Sequence, residues 1–333
     1  MSMRRLGILL LSLVLLVLAG GSIALVTGAF DISPAALEAK YRKPESQFRD
    51  IDGVRVHYLD EGAGPAVVLV HASFMNLHSW DALAAALRPN YRVVRLDLLA
   101  AGLTGPDPTG RYSMDRNIQL LDRLTTELGV ERYALIATSS GGTVAFRHAA
   151  ANPERITRLI LINSAGMPRT AATDPNRARG GRITRWVQRY YKSRSYWRTA
   201  LQQQFTSGMA PPTELVDRVY DMNRRSGRNA EGAQFLRNFK TGDPEKTLAR
   251  IVAPTLILWG EGNTTVSHLE ADVFQLWMTA APSLKKKYPQ VGHYFYLEIP
   301  DEANRDIENF LAGQLDDQLR VTRRLPPGPP PQL

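Results

Sequence analysis

Apolar positions along this chain fall into two periods, and the periods alternate. Residues 65–71 (Pro-Ala-Val-Val-Leu-Val-His), 91–98, 133–137 and 156–163 are short, nearly continuous apolar runs, the pattern of strands buried on both faces. Between them lie stretches with the 3.6-residue period of amphipathic helices, at 77–87, at 113–128 behind a capping Ser113, and from Ser139 to about Ala151. Near the start, 47–52 and 54–59 read as two short strands around Asp52-Gly53, a hairpin signal. The alternation stops after Gly166. From about 169 to 250 the pattern is helical and no stretch reads as a strand. It resumes with a strand at 254–260, a helix near 267–280, a strand near 284–289 and a helix from Asp301 to about Leu315. Alternating strands and helices predict an α/β fold, a mostly parallel central sheet with helices on both faces. A helical insertion into such a sheet predicts a lid over the strand ends, where α/β sheets bind ligands.

Both ends stand outside this scheme. Arg4 and Arg5 precede residues 6–30, which carry no charged side chain. At 1.5 Å per residue that run reaches about 37 Å as a helix, longer than the roughly 30 Å of a bilayer's hydrocarbon. A cleaved signal has a shorter apolar region and a clear small-x-small site, of which Gly28-Ala29 is a poor example. The expectation is an uncleaved membrane anchor, with secretion after cleavage as the alternative. The arginines place the N-terminus inside and the domain on the extracytoplasmic side, a signal weakened by Lys40, Arg42 and Lys43 on the outer flank. Residues 318–333 are rich in arginine and proline, and such a tail is expected to be extended and disordered. The expected organisation is therefore an anchor or signal at 1–30, a core at 31–168, a helical lid at 169–250, the rest of the core at 251–317, and a tail at 318–333.

Composition adds two limits. Without cysteine, the chain has no disulfide, thiolate chemistry or cysteine metal site. The net charge of +9 is concentrated at the two ends and in residues 177–198, which hold eight basic residues and no acidic one. The remaining body is slightly acidic, which is not the profile of a nucleic-acid binder. Within 177–198 the basic residues are interleaved with Trp186, Tyr190, Tyr191, Tyr196 and Trp197. That pattern suits either a helix lying in an anionic membrane interface or a solvated basic face whose aromatics pack on the core below.

The chemistry centres on Ile136-Ala137-Thr138-Ser139-Ser140-Gly141-Gly142-Thr143. A serine where a strand turns sharply into a helix is a nucleophile elbow, and the small residues Ala137 and Gly141 on either side let strand and helix approach. The helix N-terminus offers N–H groups and a partial positive charge to an oxyanion. Serine needs an adjacent base, and His293, after Val291-Gly292 and before the last helix, is the candidate. Of the other histidines, His71 is read as ordering a loop and His148 as packed against the sheet. His57, His78 and His268 show no metal-ligand spacing.

With these motifs in order, residues 47–315 resemble the α/β-hydrolase superfamily in its lidded, serine-nucleophile branch. The matching pieces are Val68-Leu69-Val70-His71-Ala72-Ser73, the Asp97 to Gly105 loop, the elbow at Ser139, Trp259-Gly260 and Val291-Gly292-His293. The resemblance implies Ser139 as nucleophile, His293 as base, and an oxyanion hole made by the backbone N–H groups of Ser73 and Ser140. It places Asn263 where the family has its acid, with Glu261 as a nearby substitute. It implies no metal or cofactor. Asparagine can orient an imidazole but lacks the charge that stabilises imidazolium, so reduced activity is expected. Ala72 and Ala137 replace glycines, and Leu99 stands where the family has proline; the Cβ of Ala72 is expected to restrict the oxyanion loop. A serine elbow disfavours the dehalogenases and epoxide hydrolases of this fold, which use aspartate there. Cleavage of a carboxylic ester or related acyl bond is the expectation. The alternatives are carbon–carbon hydrolysis of ring-cleavage products and a catalytically impaired binding protein. The oligomeric state is open.

Overall fold

The structure is a computed structural model and describes residues 3–168 and 181–322. One eight-stranded sheet runs through it, in the order β1-β2-β4-β3-β5-β6-β7-β8. β1 (Gln47–Ile51) and β2 (Val54–Glu61) form an antiparallel hairpin. Its two turn residues, Asp52 and Gly53, both have positive φ (52° and 81°), the turn that matches strand twist. β2 pairs antiparallel with β4 (Arg92–Leu96), and every later pairing is parallel, through β3 (Ala66–Val70), β5 (Tyr133–Thr138), β6 (Ile156–Ile162), β7 (Thr255–Gly260) and β8 (Ser283–Tyr288).

The apolar runs are continuous because both faces of the sheet are covered. Val68, Val70, Leu135, Ala137, Leu159, Leu161, Ile257 and Trp259 point into one core. Their neighbours Val67, Leu69, Ala134, Ile136, Ile160, Ile162, Leu256 and Leu258 point into the other. The first face is covered by α4 (Met114–Glu127), α5 (Ser140–Ala151) and α11 (Glu270–Trp277). The second is covered by α3 (Asp81–Leu87), entered through a 3-10 turn at Leu77–Trp80, and by α13 (Pro300–Leu311).

The remaining helices are α1 (Met3–Val26), α2 (Pro34–Tyr41), α6 (Arg182–Tyr190), α7 (Arg194–Gln202), α8 (Thr213–Met222), α9 (Arg228–Arg237), α10 (Pro244–Leu248), α12 (Phe295–Glu298) and α14 (Asp316–Thr322). Helices α6 to α10 make up the regular structure between β6 and β7 among the described residues. Trp197, Leu201, Phe205 and Val216 from this insertion join the second core, so it is packed down rather than loosely attached. The chain leaving α1 is stitched to it: Ile32 N–H donates to the Arg224 carbonyl (2.8 Å), and Ser226 N–H donates to the Ile32 carbonyl (3.0 Å).

Two elements differ from the sequence pattern. α2 was not legible because Leu37 is its one buried residue, leaving no period to read; Ser33 caps it and Pro34 opens it. Helix α14 runs into the stretch expected to be disordered from 318, because Leu319 is buried in the second core. The rest of that tail, 323–333, and residues 169–180 of the expected lid lie outside the described residues.

Candidate active site

Ser139 sits between β5 and α5 with φ 54° and ψ −125°, a conformation that a side-chain-bearing residue adopts only under constraint. The constraint is visible. Ser139 N–H donates to the Ile162 carbonyl (3.1 Å), while its carbonyl accepts from Gly142 and Ala165 (2.9 Å each). Helix and strand approach so closely that a Cβ on Gly141 would lie 2.4 Å from the His71 carbonyl oxygen. Ala137, where the family has glycine, is fully buried in the first core, which accommodates its methyl.

His293 lies five residues past β8 and is 2 % exposed. Its loop is held by main-chain and side-chain bonds from three directions. His293 N–H donates to the Gln204 carbonyl of the insertion (2.8 Å). Asn163, at the end of β6, donates through Nδ2 to the carbonyls of His293 (2.7 Å) and Gly292 (3.2 Å), and its Oδ1 accepts from Gly260 N–H (3.0 Å). Ile162 and Asn163 thus take the Ser139 N–H and carry the His293 carbonyl from adjacent positions. Glu298 accepts from Gly292 N–H (2.7 Å) with one oxygen and from Thr206 and Ser207 N–H (2.9 and 2.8 Å) with the other. A Cβ on Gly292 would meet the Gln204 carbonyl at 2.1 Å, so this approach requires glycine. Neither Asn163 nor Glu298 was singled out in the sequence. Their only signal was position next to motif residues.

Asn263 meets His293: Oδ1 is 3.2 Å from Nδ1. The same oxygen accepts from Thr265 N–H (2.9 Å) and Val266 N–H (3.1 Å), which fixes which end of the amide is oxygen. A carbonyl cannot donate, so the proton of the contact belongs to His293 Nδ1, and Nε2 carries the lone pair. That is the tautomer a general base needs. Asn263 Nδ2 is buried with no partner among the described residues. Glu261, the other candidate acid, is exposed at the surface.

The two expected oxyanion donors are brought together, with one complication. Ser73 N–H donates to the Ser140 hydroxyl (2.7 Å), and the two hydroxyls are also 2.7 Å apart. Behind them His71 orders the loop as expected. Its Nδ1 donates to the Ala72 carbonyl (2.8 Å) and its Nε2 accepts from Leu98 N–H (3.0 Å). Burial holds it neutral by pushing its pKa down. The left-handed residue of this loop is Phe74 (φ 67°), not Ala72, so the added Cβ at Ala72 meets no positive-φ penalty and the restriction expected there does not arise. Leu99 N–H donates to Asn117 Oδ1 (2.9 Å), a bond that the family's proline has no hydrogen to make. His148 is packed beneath the sheet against Tyr133, 2.6 Å from its hydroxyl, and burial lowers its pKa to about 4.

A second relay lies away from the elbow. Ser46 Oγ is 2.8 Å from His57 Nε2, and His57 Nδ1 is 2.7 Å from Asp97 Oδ2. It has the connectivity of a catalytic triad, but all three residues are buried, Ser46 caps its own turn by accepting from Lys43 N–H, and Asp97 also accepts from Leu77 and Leu103 N–H. These bonds knit β1, β2 and the 97–104 loop together. Ser46 is not among the positive-φ residues, so it does not sit on a strained elbow like that of Ser139.

Strand order, elbow and insertion define an α/β protein that holds a serine above the ends of its parallel strands beneath a helical cover. Residues 65–300 match the alpha/beta hydrolase fold family, and the chain belongs to it. An uncharacterized protein of Mycobacterium tuberculosis is 32 % identical over 124 residues, which cover 37 % of this chain and 36 % of that protein. The chain thus spans about a third of that relative's length. A cis-3-alkyl-4-alkyloxetan-2-one decarboxylase of Shewanella oneidensis is 25 % identical over 289 residues, 80 % of this chain and 87 % of that one. Among solved structures, a membrane phospholipase A superposes with a TM-score of 0.67 at 24 % identity, covering 93 % of this chain and 99 % of its own.

Proposed function

We propose that the protein is a serine hydrolase that cleaves a carboxylic ester, or a related acyl bond, through an acyl-enzyme at Ser139. The observation that carries this reading is a strained serine elbow and a histidine of set tautomer, anchored to the neighbouring residues Ile162 and Asn163 at the end of β6. Ser139 Oγ attacks the carbonyl carbon while its proton passes to His293 Nε2. The oxyanion is received by the N–H groups of Ser73 and Ser140, the former released as substrate displaces the Ser140 hydroxyl. The tetrahedral centre collapses, the carbon–oxygen bond of the leaving group breaks, and that oxygen takes the proton from His293. Water, deprotonated by the same imidazole, then releases the acid and restores Ser139. Full-length protein in detergent is expected to hydrolyse short p-nitrophenyl esters, and Ser139→Ala to lower kcat by about 10³ or more. An unchanged rate in Ser139→Ala would refute the assignment. A carbon–carbon hydrolase with the same serine and histidine would show ester turnover as a minor activity beside a vinylogous diketone.

The reading includes anchorage in a membrane by the N-terminal helix, with the catalytic domain on the extracytoplasmic side. Arg5–Val26 forms an exposed helix of 22 residues with mean hydropathy 2.7, long and apolar enough to cross a bilayer. Helix α6 lies against α1 and presents Ile183 (80 % exposed) and Trp186 (39 %) among Arg182, Arg185 and Arg189. Trp197, by contrast, is buried in the core. The exposed part suits contact with an anionic lipid surface. Alkaline carbonate is expected to leave the full chain in the membrane pellet and to release a chain beginning at residue 31.

A further inference from the structure

The narrow cavity beside the oxyanion loop, about 30 Å³, is lined by His71, Ser73 and Ser140 on the catalytic side and by Phe74, Leu99 and Phe235 along its apolar walls. Two polar side chains in this lining take no part in the chemistry described so far. Arg228, the first residue of α9, is 7 % exposed. Its one side-chain bond among the described residues is a long one, from Nη2 to Asn223 Oδ1 at 3.4 Å. Asn117 is fully buried, and while its Oδ1 holds Leu99 N–H, its Nδ2 has no partner among the described residues.

Buried cations are ordinarily paired, because an unpaired charge loses its hydration without return. The acid that acts on Arg228, Glu231, is shared: it forms its ion pair with Arg225. Lys192 adds another partly buried positive charge close enough that Arg228 depresses its pKa further, beyond the effect of burial. Burial, and then the Arg225 charge, push the Arg228 guanidinium itself down to about 10. The cavity wall therefore carries the Arg228 guanidinium, with Arg225 and Lys192 as further positive charges behind it against the one Glu231, together with the Asn117 amide donor and apolar faces, next to the expected oxyanion donors.

We propose that Arg228, with the Asn117 amide as a second donor, binds an anionic group carried on the acyl part of the substrate, a carboxylate or a phosphate. The preferred substrates are then esters of acids that bear a second negative charge at the far end of a short apolar chain. This rests on the Ser139 reading for the position of the ester, and the test separates the two.

The parent, Arg228→Gln and Arg228→Lys, as full chains in detergent, are assayed on p-nitrophenyl pentanoate and on the mono-p-nitrophenyl ester of glutaric acid, which differ in a terminal methyl against a carboxylate. The parent is expected to favour the anionic ester in kcat/KM by about tenfold or more, the scale of one charged hydrogen bond. The preference should fall close to one in Arg228→Gln, mainly through KM, and be partly kept in Arg228→Lys. Inhibition of the neutral ester by glutarate and by butyl phosphate identifies the anion, the tighter inhibitor naming it. Equal kcat/KM for the two esters in the parent, or a preference that survives in Arg228→Gln, would overturn the proposal. If the parent cleaves neither ester, the Ser139 reading fails on its own. The anion site is then decided by calorimetric titration of glutarate and butyl phosphate, where binding lost in Arg228→Gln supports it and absence of binding to the parent refutes it.

Discussion

Asn263 differs from the family's acid by one atom, and its surroundings decide what that atom costs. Exchanging a triad aspartate for asparagine costs a serine protease about 10⁴ because the amide can turn its NH2 to the histidine and enforce the wrong tautomer. In this protein the N–H groups of Thr265 and Val266 hold the oxygen in place, so the tautomer survives. What is missing is the negative charge opposite imidazolium, and Nδ2, without a partner among the described residues, marks where a second carboxylate oxygen would sit. Charged hydrogen bonds exceed neutral ones by about 1–2 kcal/mol, which corresponds to a rate factor of roughly five to thirty. Asn263→Asp should therefore raise kcat on p-nitrophenyl esters by about that factor with little change in KM. No gain, or a loss, would mean that the site is built for the neutral amide. Ser139, His293 and Asn263 could be proposed from the sequence because each is embedded in a local motif, and the fold brings Asn263 to His293. The tautomer was not, because it depends on two backbone donors whose direction only the folded loop defines.

Elements explain how the site is held. β6 ends in Asn163, which ties the β7 end to the histidine loop, and the short α12 supplies Glu298, which ties that loop to the insertion at Thr206 and Ser207. The histidine is thus positioned by the insertion as well as by the sheet. Glu298→Gln replaces one acceptor with a donor facing backbone N–H groups, a buried mismatch costing about 1–3 kcal/mol. The expected outcome is a lower thermal midpoint and a kcat reduced about tenfold on small esters; an unaltered kcat would show that the clamp does not set the histidine. Strand positions followed directly from the apolar runs, because burial on both sheet faces imposes them. Helix α2 and the final helix did not, since each is anchored by one or two residues and lacks a period. Asn163 and Glu298 were likewise invisible, since a polar residue that serves backbone atoms leaves no pattern of its own.

At the scale of the molecule, the N-terminal helix, the insertion and the candidate site form one mechanical chain. The segment leaving α1 pairs with Arg224 and Ser226, the insertion from α6 to α10 carries Arg228 into the cavity, and Gln204 from the same insertion holds His293. A bilayer at α1 and α6 would lie against the element that completes the active site, which suits an acyl substrate reaching the site from the membrane surface. Hydrolysis through an acyl-enzyme needs one serine as nucleophile, and the molecule contains an internal rival to Ser139 in Ser46, which has its own histidine and aspartate. The most direct measurement is therefore covalent: full-length protein in detergent is treated with an alkyl fluorophosphonate, digested, and the adduct mapped by mass spectrometry. A single adduct on Ser139, lost in His293→Ala, is the predicted result. An adduct on Ser46 or Ser140, or no adduct at all, would contradict it.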